Sequence, residues 1–316
     1  MLVATVRLAP GPGKGYSNTM NTFSVAVLIY NPKSTGDAEP KAKVVAKELE
    51  ALGLRTVLSP TQHAGHAITL AREAALGSPR PLIVSVSGDG GYNEVINGVM
   101  SALEESLQVR PVVAVVAAGN ANDHKRTMRD DVSLAELVRT KKVKPLDLLR
   151  LTVRYDGESV QRYAHSYIGL GLSAEGGKAI NESEKGSLHE ANAILQTLRN
   201  HEPFMVRRPM GWRRYDSLIF ANIPEMAKVI KLSKHRRVRD GQFDVLAIPH
   251  HSWWNVAVTL LKSVVGVHPG AKRRRHFDAH VRNCPLIQLD GEVIEVPKEY
   301  HLKIAVRKRV LESLYD

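Results

Sequence analysis

From Val25 onward the apolar residues fall into two alternating rhythms. Val25–Tyr30, Leu54–Leu58, Leu82–Val86 and Val112–Val116 are short, largely apolar runs of the kind that form buried strands. Between them, Lys41–Leu52, Ala64–Leu76 and Tyr92–Leu103 place apolar residues at helical spacing. In the first of these segments Val44, Val45, Leu49 and Leu52 share one side, and Gly53 supplies a C-terminal stop. Strands that alternate with helices predict parallel βαβ units, because a parallel return needs a crossover.

The pattern changes near Pro145. Leu146–Tyr155 and Val160–Ile168 read as strands joined at Asp156-Gly157, a hairpin signal. Leu218–Ile223, Phe243–Ile248, His276–Val281 and Leu286–Leu289 read as further strands, with helices expected at Ala174–Ile180, Leu188–Arg199 and Trp254–Val265. Leu302, Ile304 and Val306 alternate with other residues, which predicts a strand returning to the first domain and then a short tail helix. The expected division is a leader at 1–22, with Met20 as a natural start, an α/β domain at 23–143 plus 297–316, and a mainly antiparallel β domain at 144–296.

Composition narrows the classes. The chain has 316 residues, 43% hydrophobic and 24% charged, which are ordinary globular values. One cysteine, Cys284, excludes an internal disulfide framework and a cysteine-built zinc site, and it fits a reducing, cytoplasmic setting. Beside Pro285 in an apolar stretch, it is expected to be buried and structural. Trp253–Val267, the best candidate for a membrane span, is interrupted by Asn255 and Lys262 and falls short of the roughly 20 residues needed. The net charge of +12 favours polyanionic partners but does not select among them.

The chemistry concentrates in Ser87-Gly88-Asp89-Gly90-Gly91-Tyr92-Asn93, followed by Glu94-Val95-Ile96-Asn97-Gly98. The segment follows a predicted strand and opens a predicted helix. Its glycines let backbone N–H groups approach an anion, and the helix N-terminus adds positive partial charge. Asp89 places a carboxylate beside such an anion. A glycine-rich turn capped by Asp89 is the plain structural alternative.

Ser87-Gly88-Asp89-Gly90 with Asn93-Glu94-Val95-x-Asn97-Gly98 resembles the signature of the diacylglycerol kinase catalytic domain, with Ser87 as in the sphingosine kinase branch. Further segments resemble that family in order: Asn31-Pro32-Lys33-Ser34-Thr35-Gly36, Thr61 before Gly65-His66-Ala67, and Gly119-Asn120-Ala121-Asn122-Asp123. Asp240-Gly241-Gln242-Phe243-Asp244-Val245 and Asp290-Gly291-Glu292 complete the set, so the resemblance spans Val25–Val306. It implies an N-terminal α/β domain of NAD kinase-like fold and a C-terminal antiparallel β-sandwich domain that together enclose a nucleotide cleft.

The resemblance also implies roles. ATP would be bound by Asn31, Lys33, Ser34, Thr61, Ser87, Gly88, Asp89, Gly90, Gly91, Tyr92, Asn93, Gly119 and Asn120, with Mg²⁺. Glu292 would be the base for a lipid hydroxyl, with Asp89 as runner-up and Asp290 and Asp123 in support. A second, structural metal would take Asp240 and backbone carbonyls at Arg237 and Gln242. Bacterial relatives imply a homodimer. Gly91 and Asn120 depart from the pattern, each standing where the family has Thr; Ala117, His124 and Lys125 depart from it as well.

The function this implies is transfer of the ATP γ-phosphoryl group to a diacylglycerol- or sphingosine-like lipid. The alternatives are an NAD kinase-like enzyme with a soluble substrate, or a catalytically impaired nucleotide-binding relative. Basic clusters such as Lys272-Arg273-Arg274-Arg275 suggest docking on an anionic membrane surface, and the Trp253-Trp254 pair suggests an interfacial or acyl-chain contact. The aromatic-interleaved basic motifs of nucleic-acid modules are missing, so no nucleic-acid partner is expected.

Overall fold

The computed structural model describes residues 23–34, 37–119, 122–128, 132–182, 189, 192, 196–197, 199–226, 230–231, 239–250 and 271–315. The first part alternates strand and helix: β1 (Ala26–Tyr30), α1 (Ala38–Ala51), β2 (Thr56–Pro60), α2 (His66–Leu76), β3 (Leu82–Ser87), α3 (Asp89–Glu105) and β4 (Val112–Ala117). The strands β2-β1-β3-β4 are parallel. Two short helices, α4 (Asp123–Met128) and α5 (Leu134–Arg139), follow.

Both faces of the sheet are covered at β1, β3 and β4, which is why those strands are largely apolar. Ala26, Leu28 and Tyr30 of β1 pack with α1 and α5 on one side. Val27 and Ile29 pack with α2 and α3 on the other. The helices α2 and α3 approach closely at Gly98, where a Cβ would lie 2.2 Å from the Ile68 carbonyl oxygen. That contact explains the glycine that closes the Asn97-Gly98 step.

From Val143 the sheet becomes antiparallel. Its strands are β5 (Val143–Tyr155), β6 (Glu158–Ala164), β7 (Tyr167–Gly171), β8 (Phe204–Arg208), β9 (Gly211–Ala221), β12 (Phe243–Pro249), β13 (Lys272–Arg274), β14 (His276–Arg282), β15 (Leu286–Leu289), β16 (Glu292–Glu295) and β17 (Glu299–Leu314), with α6 (Leu172–Glu182) after β7. A separate two-stranded ribbon pairs β10 (Glu225–Met226) with β11 (Ile230–Lys231). The β5–β6 turn at Asp156-Gly157 has φ of 45° and 80°, as a two-residue hairpin requires. The core beneath these strands is aromatic and aliphatic: Phe204, Phe220, Phe243 and Phe277 pack with Leu151, Ile168 and Ile304.

β17 joins the two halves. It lies antiparallel to β14 and β5, and its end at Glu312-Ser313 runs parallel to β4. Among the described residues the expected tail helix is therefore replaced by the last part of β17. Leu311 and Leu314 are buried and paired across to Leu146 and Val143, so strand pairing wins over local helical preference. A register shift between Arg307 and Leu311, with Arg309 at φ 50°, re-aims the strand between its two partners.

Other expectations differ in detail. Val160–Ile168 is divided into β6 and β7 at His165-Ser166, and β8 and β16 are too short, with apolar runs of three and two residues, to stand out in the sequence. Trp254–Val265, most of Leu188–Arg199 and the 1–22 leader lie outside the described residues. Cys284 is buried, and burial pushes its thiol up to about 11. Among the described residues, no helix is long and apolar enough to cross a membrane.

Candidate active site

The loops that follow β1, β2, β3 and β4 gather at the C-terminal ends of the parallel strands, where open α/β sheets hold their ligands. After β1, the Asn31 side chain accepts the Lys33 N–H at 2.9 Å and so shapes its own turn. After β3, Gly88 is the residue before the first turn of α3. Gly119, after β4, touches it: a Cβ at Gly119 would fall 2.4 Å from the Gly88 Cα, so two glycines are needed for the loops to meet. Asn122 braces the second loop by accepting from Gly119 N–H and donating to the Gly119 carbonyl, at 3.3 and 2.7 Å.

A cleft of about 790 Å³ lies along these loops, lined by Asn31, Lys33, Ser34, Thr61, Ser87, Gly88, Gly91 and Glu292 from the sequence-derived set. Gln62, His63 and Glu94 also line it and were not singled out by sequence. Glu94 takes the Gly65 N–H at 3.1 Å, which fixes the turn before α2. Its signal was its place one helical turn after Gly90, on the same face of α3.

The turn between β15 and β16 brings the second half of the chain to the cleft. Asp290 is fully buried at 0% exposure, and its carboxylate accepts from Asn93 Nδ2 and His165 N–H at 2.7 Å, Tyr167 N–H at 2.8 Å and Ser166 N–H at 2.9 Å. Asn93 also donates to the Tyr163 carbonyl at 2.8 Å. Asp290 and Asn93 are thus pins between α3, the β6–β7 corner and the β15–β16 turn, and neither lines the cleft. The turn they hold carries Glu292, whose carboxylate sits where a Cβ on Gly90 would be, 2.3 Å away.

Asp89 faces the loop after β4. Its carboxylate accepts the Asp123 N–H at 2.9 Å and the His124 N–H at 3.1 Å, capping α4. Burial pushes Asp89 up to about 6 against those two donors, with the Asp123 and Asp290 charges adding to the rise. Burial likewise raises Asp290 to about 6, against its Tyr167, His165, Asn93 and Ser166 donors. Glu292 is exposed as a residue, but its seated carboxyl is raised by burial and then by the Glu94 charge.

Tyr92 is buried and packs its ring against His124 and His165, with centroids 5.3 and 4.8 Å apart. Burial lowers His124 far below its usual range and His165 to about 3, so both rings are neutral packing groups at neutral pH. His124 therefore serves where the family pattern has an apolar residue. Gly91 has a similar explanation: a Cβ there would meet the Ser87 Cβ and Oγ at 2.7 Å, so the Ser87 hydroxyl fills the space beside residue 91. Ser87 in turn bonds the buried Ser85 hydroxyl at 2.7 Å. Asn120 lies outside the described residues.

The Asp240 segment is apart from the cleft-lining residues. Asp240 pairs with Arg273 and accepts the Gln242 N–H at 3.0 Å, and Arg237 lies outside the described residues. Among the described residues no group of three His, Cys, Asp or Glu side chains is arranged to hold a metal.

Fold and site together define a two-part α/β protein with a glycine-lined, acid-edged cleft at the ends of parallel strands. Comparison with known proteins makes this specific: residues 25–151 match the diacylglycerol kinase catalytic domain. The diacylglycerol kinase of Bacillus subtilis (strain 168) is 35% identical over 136 residues, covering 41% of this chain and 43% of that protein. The diacylglycerol kinase of Staphylococcus haemolyticus (strain JCSC1435) is 28% identical over 134 residues, 41% of this chain and 39% of that protein. The matches thus span less than half the length of these curated relatives. A crystal structure of a diacylglycerol kinase from Bacillus anthracis str. Sterne shares the fold at a TM-score of 0.64, with 19% identity, over 94% of this chain and 99% of that one.

Proposed function

We propose that this chain is an ATP-dependent lipid kinase that transfers the γ-phosphoryl group to a hydroxyl of a diacylglycerol- or sphingosine-like lipid. The observation that carries this reading is the seating of the Glu292 carboxylate over Gly90, at the edge of the glycine-rich loop. In this reading that carboxylate would act as the base beside a loop suited to phosphates, where an acceptor hydroxyl would meet the γ-phosphate. In this reading, residues 23–143 plus 297–316 hold the nucleotide and residues 144–296 complete the acceptor side.

The phosphates would lie against the N–H groups of Gly88 to Gly91 at the start of α3, with Lys33 and the Ser87 hydroxyl adding donors. Magnesium would neutralise charge on the phosphates. It takes few protein carboxylates and keeps several waters, which fits a cleft without a three-ligand cluster among the described residues. Asp89, whose oxygens keep lone pairs after accepting two N–H groups, and its neighbour Asp123 would meet that ion. Glu292 would take the proton of the acceptor hydroxyl, helped by a pKa raised toward neutrality. Asp290 would act through the turn it pins. The exposed Arg213, Arg214, Arg274 and Arg275 would favour an anionic bilayer.

The test is phosphorylation with radiolabelled ATP of vesicles containing diacylglycerol or sphingosine, with NAD in parallel. The expected result is a labelled lipid, and a Glu292→Gln variant slower in kcat by about 100-fold or more. Labelled NADP with no labelled lipid, or a Glu292→Gln enzyme of unchanged kcat, overturns the respective part.

A further inference from the structure

The family resemblance assigns a structural metal to the Asp240-Gly241-Gln242 turn, and the side chains around that turn do not suit one. Asp240 is already met on both oxygens: Oδ1 accepts the Gln242 N–H at 3.0 Å, and Oδ2 pairs with the Arg273 guanidinium. Arg273 reaches it from β13, where it is the cross-strand partner of Asp244, the second acid of the same motif. Cross-strand partners share a face of the sheet, so one guanidinium stands on the side of both acids. Lys308 adds a second cation, its Cε lying 2.0 Å from where a Cβ on Gly241 would be.

We propose that Arg273, assisted by Lys308, performs in this protein the neutralising and tethering role that the family pattern gives to a metal ion at Asp240. A guanidinium is always protonated and forms directional bonds to carboxylate. A divalent ion brought beside it and beside the Lys308 ammonium would be repelled by both at short range. The tether is also supplied without an ion. Asp147 of β5 is buried, and it accepts the Gly241 N–H at 2.9 Å and the Arg309 N–H at 2.8 Å. The turn is thereby tied to β5 and to the irregular point of β17, the strand that joins the two halves. Gly241, at φ 68°, is needed both for the turn and to leave room for Lys308. This inference does not depend on which substrate the cleft accepts.

The experiment uses the full chain without nucleotide. Its metal content is measured by mass spectrometry after dialysis against a chelator, and its melting temperature is recorded with chelator, Mg²⁺ or Ca²⁺. The expected result is substoichiometric metal and a melting temperature that chelator leaves within about 1 °C, since an ion that bound the folded chain would shift it by mass action. Arg273→Ala is expected to melt several degrees lower and to regain part of that loss when Mg²⁺ or Ca²⁺ is added, because a carboxylate is uncovered; Arg273→Lys should lie between. If Arg273→Ala does not fold, the wild-type melt and Arg273→Lys decide. A chelator-induced fall of several degrees that Asp240→Asn abolishes would overturn the proposal, as would an Arg273→Ala chain as stable as the wild type.

Discussion

At the scale of single residues, the informative positions are those where a side chain is missing. Gly91 lacks a hydroxyl that the family pattern has, and the Ser87 Cβ and Oγ stand 2.7 Å from its virtual Cβ. The two positions are therefore alternatives for one space. Gly91→Thr alone should destabilise by about 1–3 kcal/mol through overpacking. Adding Ser87→Gly should recover a coupling energy of about 0.5–3 kcal/mol. Urea unfolding of the two single variants and the double variant checks this, and simple additivity would refute it. The sequence showed that Gly91 was unusual but could not show why, because the explanation is the direction in which Ser87 points.

At the scale of elements, packing makes opposite demands on two helical glycines, Gly98 where α3 meets α2 and Gly176 in α6. Alanine is favoured over glycine in a helix by about 1 kcal/mol. At Gly98 that gain is outweighed, since the new Cβ would stand 2.2 Å from the Ile68 carbonyl and 2.9 Å from the Ala71 Cβ. Backbone and a short side chain cannot yield cheaply, so Gly98→Ala should lower the melting temperature. Gly176, in α6, has nothing within 4 Å of its virtual Cβ, and Gly176→Ala should raise stability by up to about 1 kcal/mol. A stabilising Gly98→Ala would mean that the helices separate more easily than their packing suggests. The helices and parallel strands of this half were legible because each is amphipathic or apolar at one period. β17 was only half legible: Leu302, Ile304 and Val306 alternate, but the register shift beyond Arg307 breaks the period that a reader follows.

At the scale of the whole molecule, Asp290 links the halves by accepting from Asn93 as well as from His165 and Tyr167, and Asp89 ties α3 to α4 nearby. Both are raised from 3.8 to about 6 by burial. In the proposed reaction Asp89 must be ionised to meet magnesium, so kcat/KM should fall roughly tenfold per pH unit below about 6. A pH profile whose acid limb lies near 4 would contradict that assignment. The stability sign is the reverse. Between about 6 and 3.8 the folded chain binds protons that the unfolded chain does not, so these two groups cost stability above about 6 and less as the pH falls. The sequence by itself determined the alternation of strands and helices in the first half, the glycine-rich turn that opens α3 and the acids to watch, because periodicity, turn chemistry and motif order are local. Tertiary structure alone decided which acid lines the cleft and which is a buried pin, and that Arg273 faces Asp240 from a strand about thirty residues away. Those outcomes depend on direction and burial, which arise only when distant strands close on one another.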